Sequence, residues 1–192
     1  METILPGYTR VSDILSIFQA YAHVDRDKLK KAQDIGVVIH QAIEMFYSDE
    51  FKPLYGHYTR YFESFLKWSD SLGKNLNPLV VEKRFYDHEL MITGRVDLLA
   101  ELDGMIVLID FKTGSWAHPE IWKLQACFYR SLIAQNITGQ TPDKYLFIQL
   151  KGDGSMPSLF PMHYDIEDTL VCQDALRCYH YFKQKTPSDE RG

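Results

Sequence analysis

At 192 residues, with 45% hydrophobic and 14% aromatic side chains, the chain is long enough to bury a sizeable core, and one domain with a helical elaboration is expected. A net charge of −5 excludes a surface coated in nucleic-acid-binding charge and confines any such contact to a local groove. The three cysteines, Cys127, Cys172 and Cys178, have no CxxC spacing; they favour a reduced setting over a disulfide framework and are too few for a zinc or iron–sulfur site. No stretch is apolar for long enough to span a membrane, and the N-terminus lacks the basic start and apolar run of a secretion signal, so a cytoplasmic protein with no membrane partner is expected.

In chain order, Val11, Ile14, Leu15 and Phe18 have helical spacing and predict a first helix over about Val11–Ala22. A second is expected over about Asp27–Tyr47, and a third over about Pro53–Ser71, where Tyr58, Tyr61, Phe62, Phe65 and Trp68 suit either a packing face or a platform for base stacking. The period then shortens. "NPLVVEKRFYD", "ELMITGRVDLLAEL" and "MIVLIDFK" read as strands, and "HPEIWKLQACFYRSLIAQN" as a helix with Pro119 in its first turn. "KYLFIQL" and "SLFPMHY" predict two more strands around "KGDGS", and a last helix runs from about Glu167 to Lys183. The order predicts an α/β (α+β) domain over 1–192: a helical part to about residue 75, a mixed central β-sheet flanked by helices to about 165, and a C-terminal helix and tail.

Asp103-Gly104 is the strongest turn signal in the chain, and taking it as a type I′ turn sets the register of a hairpin. Leu102 then pairs with Met105, and counting outward puts Asp97 opposite Asp110 and Arg95 opposite Lys112. One face carries Val96, Leu98, Ala100 and Leu102 against Met105, Val107, Ile109 and Phe111, apolar throughout. The other carries Arg95, Asp97 and Leu99 against Leu108, Asp110 and Lys112. Two facing aspartates repel. A divalent cation between them would resolve this; so would a solvated face on which Arg95 and Lys112 neutralise them. Leu99 and Leu108 on that same face point to partial burial, where a charge cluster without a ligand is costly.

Gly94 to Asp97, then Asp110 to Lys112, then Gln125 to Tyr129 reproduce Gly-x-x-Asp, Asp-x-Lys and Gln-x-x-x-Tyr in order. The pattern resembles the RecB-like exonuclease branch of the PD-(D/E)XK nuclease superfamily. "GVVIHQAIE", with His40, is similar to the branch's upstream helix, and "YTRVSDIL" to the N-terminal segments of phage and mitochondrial members. Val96 stands where the superfamily's proline would be, and Asp110 where a glutamate is common. The CRISPR-associated relatives hold an iron–sulfur cluster on four cysteines. This chain has no N-terminal cysteine, so no such cluster is expected.

The resemblance implies a restriction-endonuclease-like core and a divalent cofactor, Mg²⁺ or Mn²⁺, held by Asp97, Asp110 and the backbone carbonyl of Phe111. It gives Lys112 the role of orienting water and offsetting transition-state charge. His40 alone would read as an ordinary helix histidine; the branch pattern makes it a metal ligand, and imidazole would favour Mn²⁺. Glu82 is a further candidate ligand, although the intervening "DHE" turn leaves its face open. Gln125 and Tyr129 share a helix face and are expected against the lysine, water or DNA. Glu44, one turn after His40, reads as a partner to a metal ligand or as a helix-surface charge, the surface charge being favoured; Trp122 reads as a core residue. Arg95, Lys28, Lys30, Lys31 and Lys123 are candidate DNA contacts. The expected activity is a metal-dependent exonuclease acting on single-stranded DNA or DNA ends. A structure-specific endonuclease, a catalytically silent DNA-binding relative and an unrelated scaffold protein with a coincidental ion cluster are the alternatives.

Overall fold

Asp103 and Gly104 both have positive φ, 51° and 77°, the type I′ geometry that an Asp-Gly pair adopts readily. From this turn β3 (Ile92–Leu102) and β4 (Met105–Lys112) pair antiparallel, Leu102 with Met105 through to Leu98 with Ile109, in the expected register. A computed structural model of the chain describes residues 4–18, 26–48, 50, 52–73, 75–115 and 117–185. On the other edge of β3 lies β2 (Leu76–Asp87), antiparallel. Beyond β4 come β5 (Lys144–Gln149), parallel to it, and β6 (Ser158–His163), antiparallel to β5. The strand β1 (Thr9–Arg10), not anticipated in the sequence, pairs parallel with Ile92 and Thr93 of β3.

Five α-helices surround this mixed sheet among the described residues: α1 (Val11–Leu15), α2 (Arg26–Tyr47), α3 (Tyr58–Leu72), α4 (Pro119–Asn136) and α5 (Ile166–Lys185). Parallel neighbours β4 and β5 need a long crossover, and α4 supplies it. On one face Ile39 and Ile43 of α2 and Phe62, Phe65 and Trp68 of α3 pack against Leu98, Ala100, Ile109 and Phe111. On the other, α1, α4 and α5 bring Ile14, Trp122, Leu132 and Leu176 onto Leu99, Leu108, Tyr145 and Phe147. No described helix is long and apolar enough to cross a membrane.

Four expectations change. The first helix keeps α geometry only to Leu15 and tightens to a 3₁₀ turn over Ser16–Phe18; residues 19–22 lie outside the described ones. The third starts at Tyr58 because Gly56, at φ 66°, turns the chain just before it. Its rings Phe62, Phe65 and Trp68 are core, where a buried aromatic contributes about 1.5–3 kcal/mol, so they are not a stacking platform. The fourth concerns the hairpin. Val96 joins Leu99 and Leu108 in one core and leaves Leu98 and Ala100 in the other, so strict alternation breaks at Asp97. Pairing with β4 also stops at Leu98–Ile109. Asp97 and Asp110 therefore adjoin without pairing, and Arg95 faces Arg84 of β2 rather than Lys112.

The packing of α4 on β3 depends on one missing side chain. A Cβ on Gly94 would lie 2.5 Å from Cε1 of Tyr129 and 3.0 Å from Cδ1 of Leu132. Gly94→Ala should destabilise the fold by about 1–3 kcal/mol through overpacking, measured as a lower midpoint in urea. The same Gly94→Ala change should cost less when made in a Tyr129→Ala background.

Candidate active site

On one edge of β3, β1 ends opposite Thr93 and β4 begins opposite Leu98. The residues between, Gly94–Asp97, have no ladder partner there, and the edge opens into a cavity of about 560 Å³. Asp97 closes the throat of this fork: its Oδ2 accepts the Phe111 N–H at 2.8 Å, tying β3 to β4 one residue beyond the last pair. Helices reach the fork from both faces of the sheet, α2 with His40 and α4 with Gln125 and Tyr129.

His40, Glu82 and Asp97 place ligand atoms within 4.8 Å of one another. Nδ1 of His40 is 2.7 Å from Oε1 of Glu82 and 3.5 Å from Oδ1 of Asp97. Glu82 reaches this point by leaving strand geometry, with a φ of 46° in the middle of β2. A non-glycine residue in that region costs about 1–3 kcal/mol and persists when its surroundings hold it. Here they do: Arg95 Nε lies 2.9 Å from both the carbonyl and Oε2 of Glu82.

Beside this group, Lys112 Nζ lies 2.5 Å from Oδ1 of Asp110 and donates to Oε1 of Gln125 at 2.8 Å. Gln125 Nε2 donates in turn to Oδ2 of Asp110 at 2.8 Å, so its amide clamps both charged groups. The Phe147 and Trp122 rings stand 5.5 and 5.9 Å from the ammonium. Tyr129 is buried against the same carboxylates. Burial first, then Asp110 and Asp97, push its hydroxyl well above the ordinary tyrosine range.

The charges are poorly compensated. Desolvation, then the neighbouring Asp110, holds the Asp97 carboxyl well above the ordinary range, against the pull of His40 and Lys112. Burial opposes charge on His40, yet Asp97 and Glu82 outweigh it and raise the imidazole to about 9. Oδ1 of Asp110 is buried against the Lys112 ammonium, 2.5 Å away. Carboxylates that crowd together and one imidazole are a donor set that fits a hard divalent cation such as Mg²⁺ or Mn²⁺.

Of the candidate site residues, His40, Glu82, Arg95, Asp97, Asp110, Phe111, Lys112, Gln125 and Tyr129 all line this one cavity. Lys30, Lys31 and Lys123 are not among its lining residues. Lys30 and Lys31 are exposed on the first turns of α2, the Lys28 side chain lies outside the described residues, and Lys123 pairs with Asp168 at 3.0 Å. Arg95 is taken up by Glu82 and by Glu44, whose Oε2 is 3.0 Å away. Glu44, its side chain 45% exposed, is a surface charge that pairs with this cavity arginine. Its position four residues after His40, on the same helix face, is the spacing that raised the partner role.

The sign of the pH effect follows. A raised imidazole pKa contributes stability that is complete below its unfolded value of about 6.5 and is lost as pH rises through about 9. A raised carboxyl acts in the same direction, favouring the folded state while protonated. In EDTA the melting temperature should therefore fall between pH 6 and 10. At pH 8, Asp97→Asn should raise it by roughly 2–4 °C, the shift produced by about 1 kcal/mol in a domain of this size, and should abolish the further rise that Mn²⁺ gives the wild type. Differential scanning calorimetry with and without Mn²⁺ tests all three.

No curated protein matches this chain. Among solved structures it is similar to a candidate exonuclease from Eubacterium rectale, at 12% identity over 96% of this chain and 85% of that one, with a TM-score of 0.52. It also aligns with LHK-Exo in complex with dAMP, at 13% identity over 93% of each chain and a TM-score of 0.42. The first likeness is one of fold, a mixed sheet between helices of the restriction-endonuclease-like kind. The family model of the PD-(D/E)XK nuclease superfamily matches residues 55–177, which hold Glu82, Gly94, Asp97, Asp110, Lys112, Gln125 and Tyr129; His40 precedes the match and rests on geometry. Matched over more than half its length, the chain belongs to the PD-(D/E)XK nuclease superfamily.

Proposed function

We propose that this nuclease is a divalent-metal-dependent exonuclease that hydrolyses phosphodiester bonds of DNA at strand ends or in single strands, the whole chain acting as one nuclease domain. The observation that carries the reading is the crowding of Asp97, Glu82 and His40 beside Asp110, whose buried Oδ1 lies against the Lys112 ammonium. The preference for ends comes from the resemblance of Gly94–Asp97, Asp110–Lys112 and Gln125–Tyr129 to the RecB-like branch.

Asp97, Asp110, Glu82 and His40 would hold the ion, which when bound supplies polarisation of a phosphoryl oxygen and acidification of a water. The rest is the work of side chains. The Gln125 amide fixes Lys112 between Asp110 and the cavity, so the ammonium is already oriented when a phosphate arrives. A preset cation stabilises the charge that grows on the phosphorane without reorganising first. The ammonium stays desolvated on one side by Trp122 and Phe147, which strengthens its field toward the cavity. The Asp97 bond to the Phe111 N–H keeps the two aspartates at a set spacing. Tyr129, its proton held firmly, acts as a neutral donor.

End-labelled single-stranded, duplex and circular DNA, incubated with Mg²⁺, Mn²⁺ or EDTA, tests the reading. Linear substrates should be shortened in either metal and remain intact in EDTA. Cleavage of circles would replace the exonuclease with an endonuclease, and no cleavage of any substrate would end the nuclease assignment for this site. Lys112→Ala should lower the rate by about 10²–10³-fold or more while the melting temperature holds, and Gln125→Ala should lower it less.

A further inference from the structure

A smaller cavity of about 110 Å³ adjoins the catalytic one and shares Ser12, Arg95 and Tyr129 with it. Its outer wall adds Arg10, Arg84 and Thr93. Two of its three arginines are spoken for: Arg10 pairs with Asp13 at 2.9 Å, and Arg95 with Glu82 and Glu44. Arg84 differs. It is half-buried on β2, directly across the ladder from Arg95. Its Nε is screened from solvent and has no hydrogen-bond partner, and among the described residues Arg84 makes no ion pair.

Facing guanidinium groups repel as facing carboxylates do, and a buried donor left unpaired is costly. The repulsion is relieved if an anion sits in the cavity that both arginines line. A phosphate, like a carboxylate, offers oxygen pairs that match a guanidinium fork; the nuclease reading supplies the phosphate, and the space suits one phosphate group rather than a whole nucleotide. Continuity with the catalytic cavity through Ser12 and Arg95 puts it one step along the strand from the reacting group.

We infer that this cavity holds a phosphate of the substrate strand next to the one being cleaved, with Arg84 as its chief ligand. The inference rests on the nuclease reading, and the test separates the two. Binding of a fluorescent single-stranded oligonucleotide is measured by anisotropy in EDTA, across a salt series, for the wild type and for Arg84→Gln. The variant should bind about tenfold more weakly, with a log–log salt slope shallower by about 0.7–1, and should melt no lower than the wild type because an unpaired charge has gone. In the cleavage assay the loss should fall on KM rather than kcat.

Equal affinity and equal slope would overturn the proposal, as would a marked fall in melting temperature, which would make Arg84 a structural residue. Oligonucleotides carrying a 5′-phosphate, a 3′-phosphate or neither identify the source. A preference for one end that disappears in the variant assigns a terminal phosphate; equal, Arg84-dependent binding of all three assigns an internal one. A wild type that cleaves nothing in Mg²⁺ or Mn²⁺ defeats the nuclease reading while the Arg84 dependence in EDTA still decides this one.

Discussion

The strand β3 has more neighbours than one edge can seat. β2 occupies one side along nearly its whole length, while β1 and β4 divide the other and leave Gly94–Asp97 between them without a partner. An interrupted edge inside a sheet exposes backbone groups that must find partners. The Asp97 carboxylate takes the Phe111 N–H across the break and thereby becomes the hinge pin of the fork. Every group with chemistry to offer is then delivered to that opening: His40 from the helix on one face, Gln125 and Tyr129 from the helix on the other, Glu82 from the adjoining strand.

This geometry concentrates like charge where water is scarce, and the molecule carries the cost in several places at once. Asp97 is pushed toward its neutral form, His40 toward its charged one, and Glu82 occupies a backbone conformation that side chains rarely adopt. A fold selected only for stability would replace such a cluster with apolar residues of similar volume, which is often neutral or favourable. Arg84 facing Arg95 repeats the pattern with opposite sign a few residues away. The two imbalances complement each other. A cation on the acidic side and a phosphate on the basic side would neutralise both, and a nucleic-acid strand with its counter-ion brings the two together. The chain's net charge of −5 is no obstacle, because the relevant field is that of the cavity rather than the whole surface.

Gln125 deserves its place for a different reason. An amide can donate to Asp110 and accept from Lys112 at once, which neither a carboxylate nor an ammonium can do. The arrangement needs α4 close to β3, and Gly94 permits this by leaving room for Tyr129. The glycine of the Gly-x-x-Asp motif is thus a packing requirement that lets α4 lie against β3. Its φ is not one that demands glycine.

Much of this was legible beforehand. Asp103-Gly104 determined the turn, the register out to Leu98–Ile109 and the boundaries of β4, since a type I′ turn and period-two alternation are local properties of the chain. The spacing of Gln125 and Tyr129 on α4 was local too. Simple counting failed at Asp97, where alternation breaks and pairing ends, because the break is imposed by β1, β2 and β4 competing for β3. The side on which Glu82 falls depends on a single φ angle, the role of Glu44 on an arginine 51 positions away, and the isolation of Arg84 on which acids other arginines had already taken. Local pattern therefore determined the elements and the chemistry they carry. Only the tertiary structure decided which charges meet and which are left over, because pairing between distant side chains follows from packing, and packing has no period in the sequence.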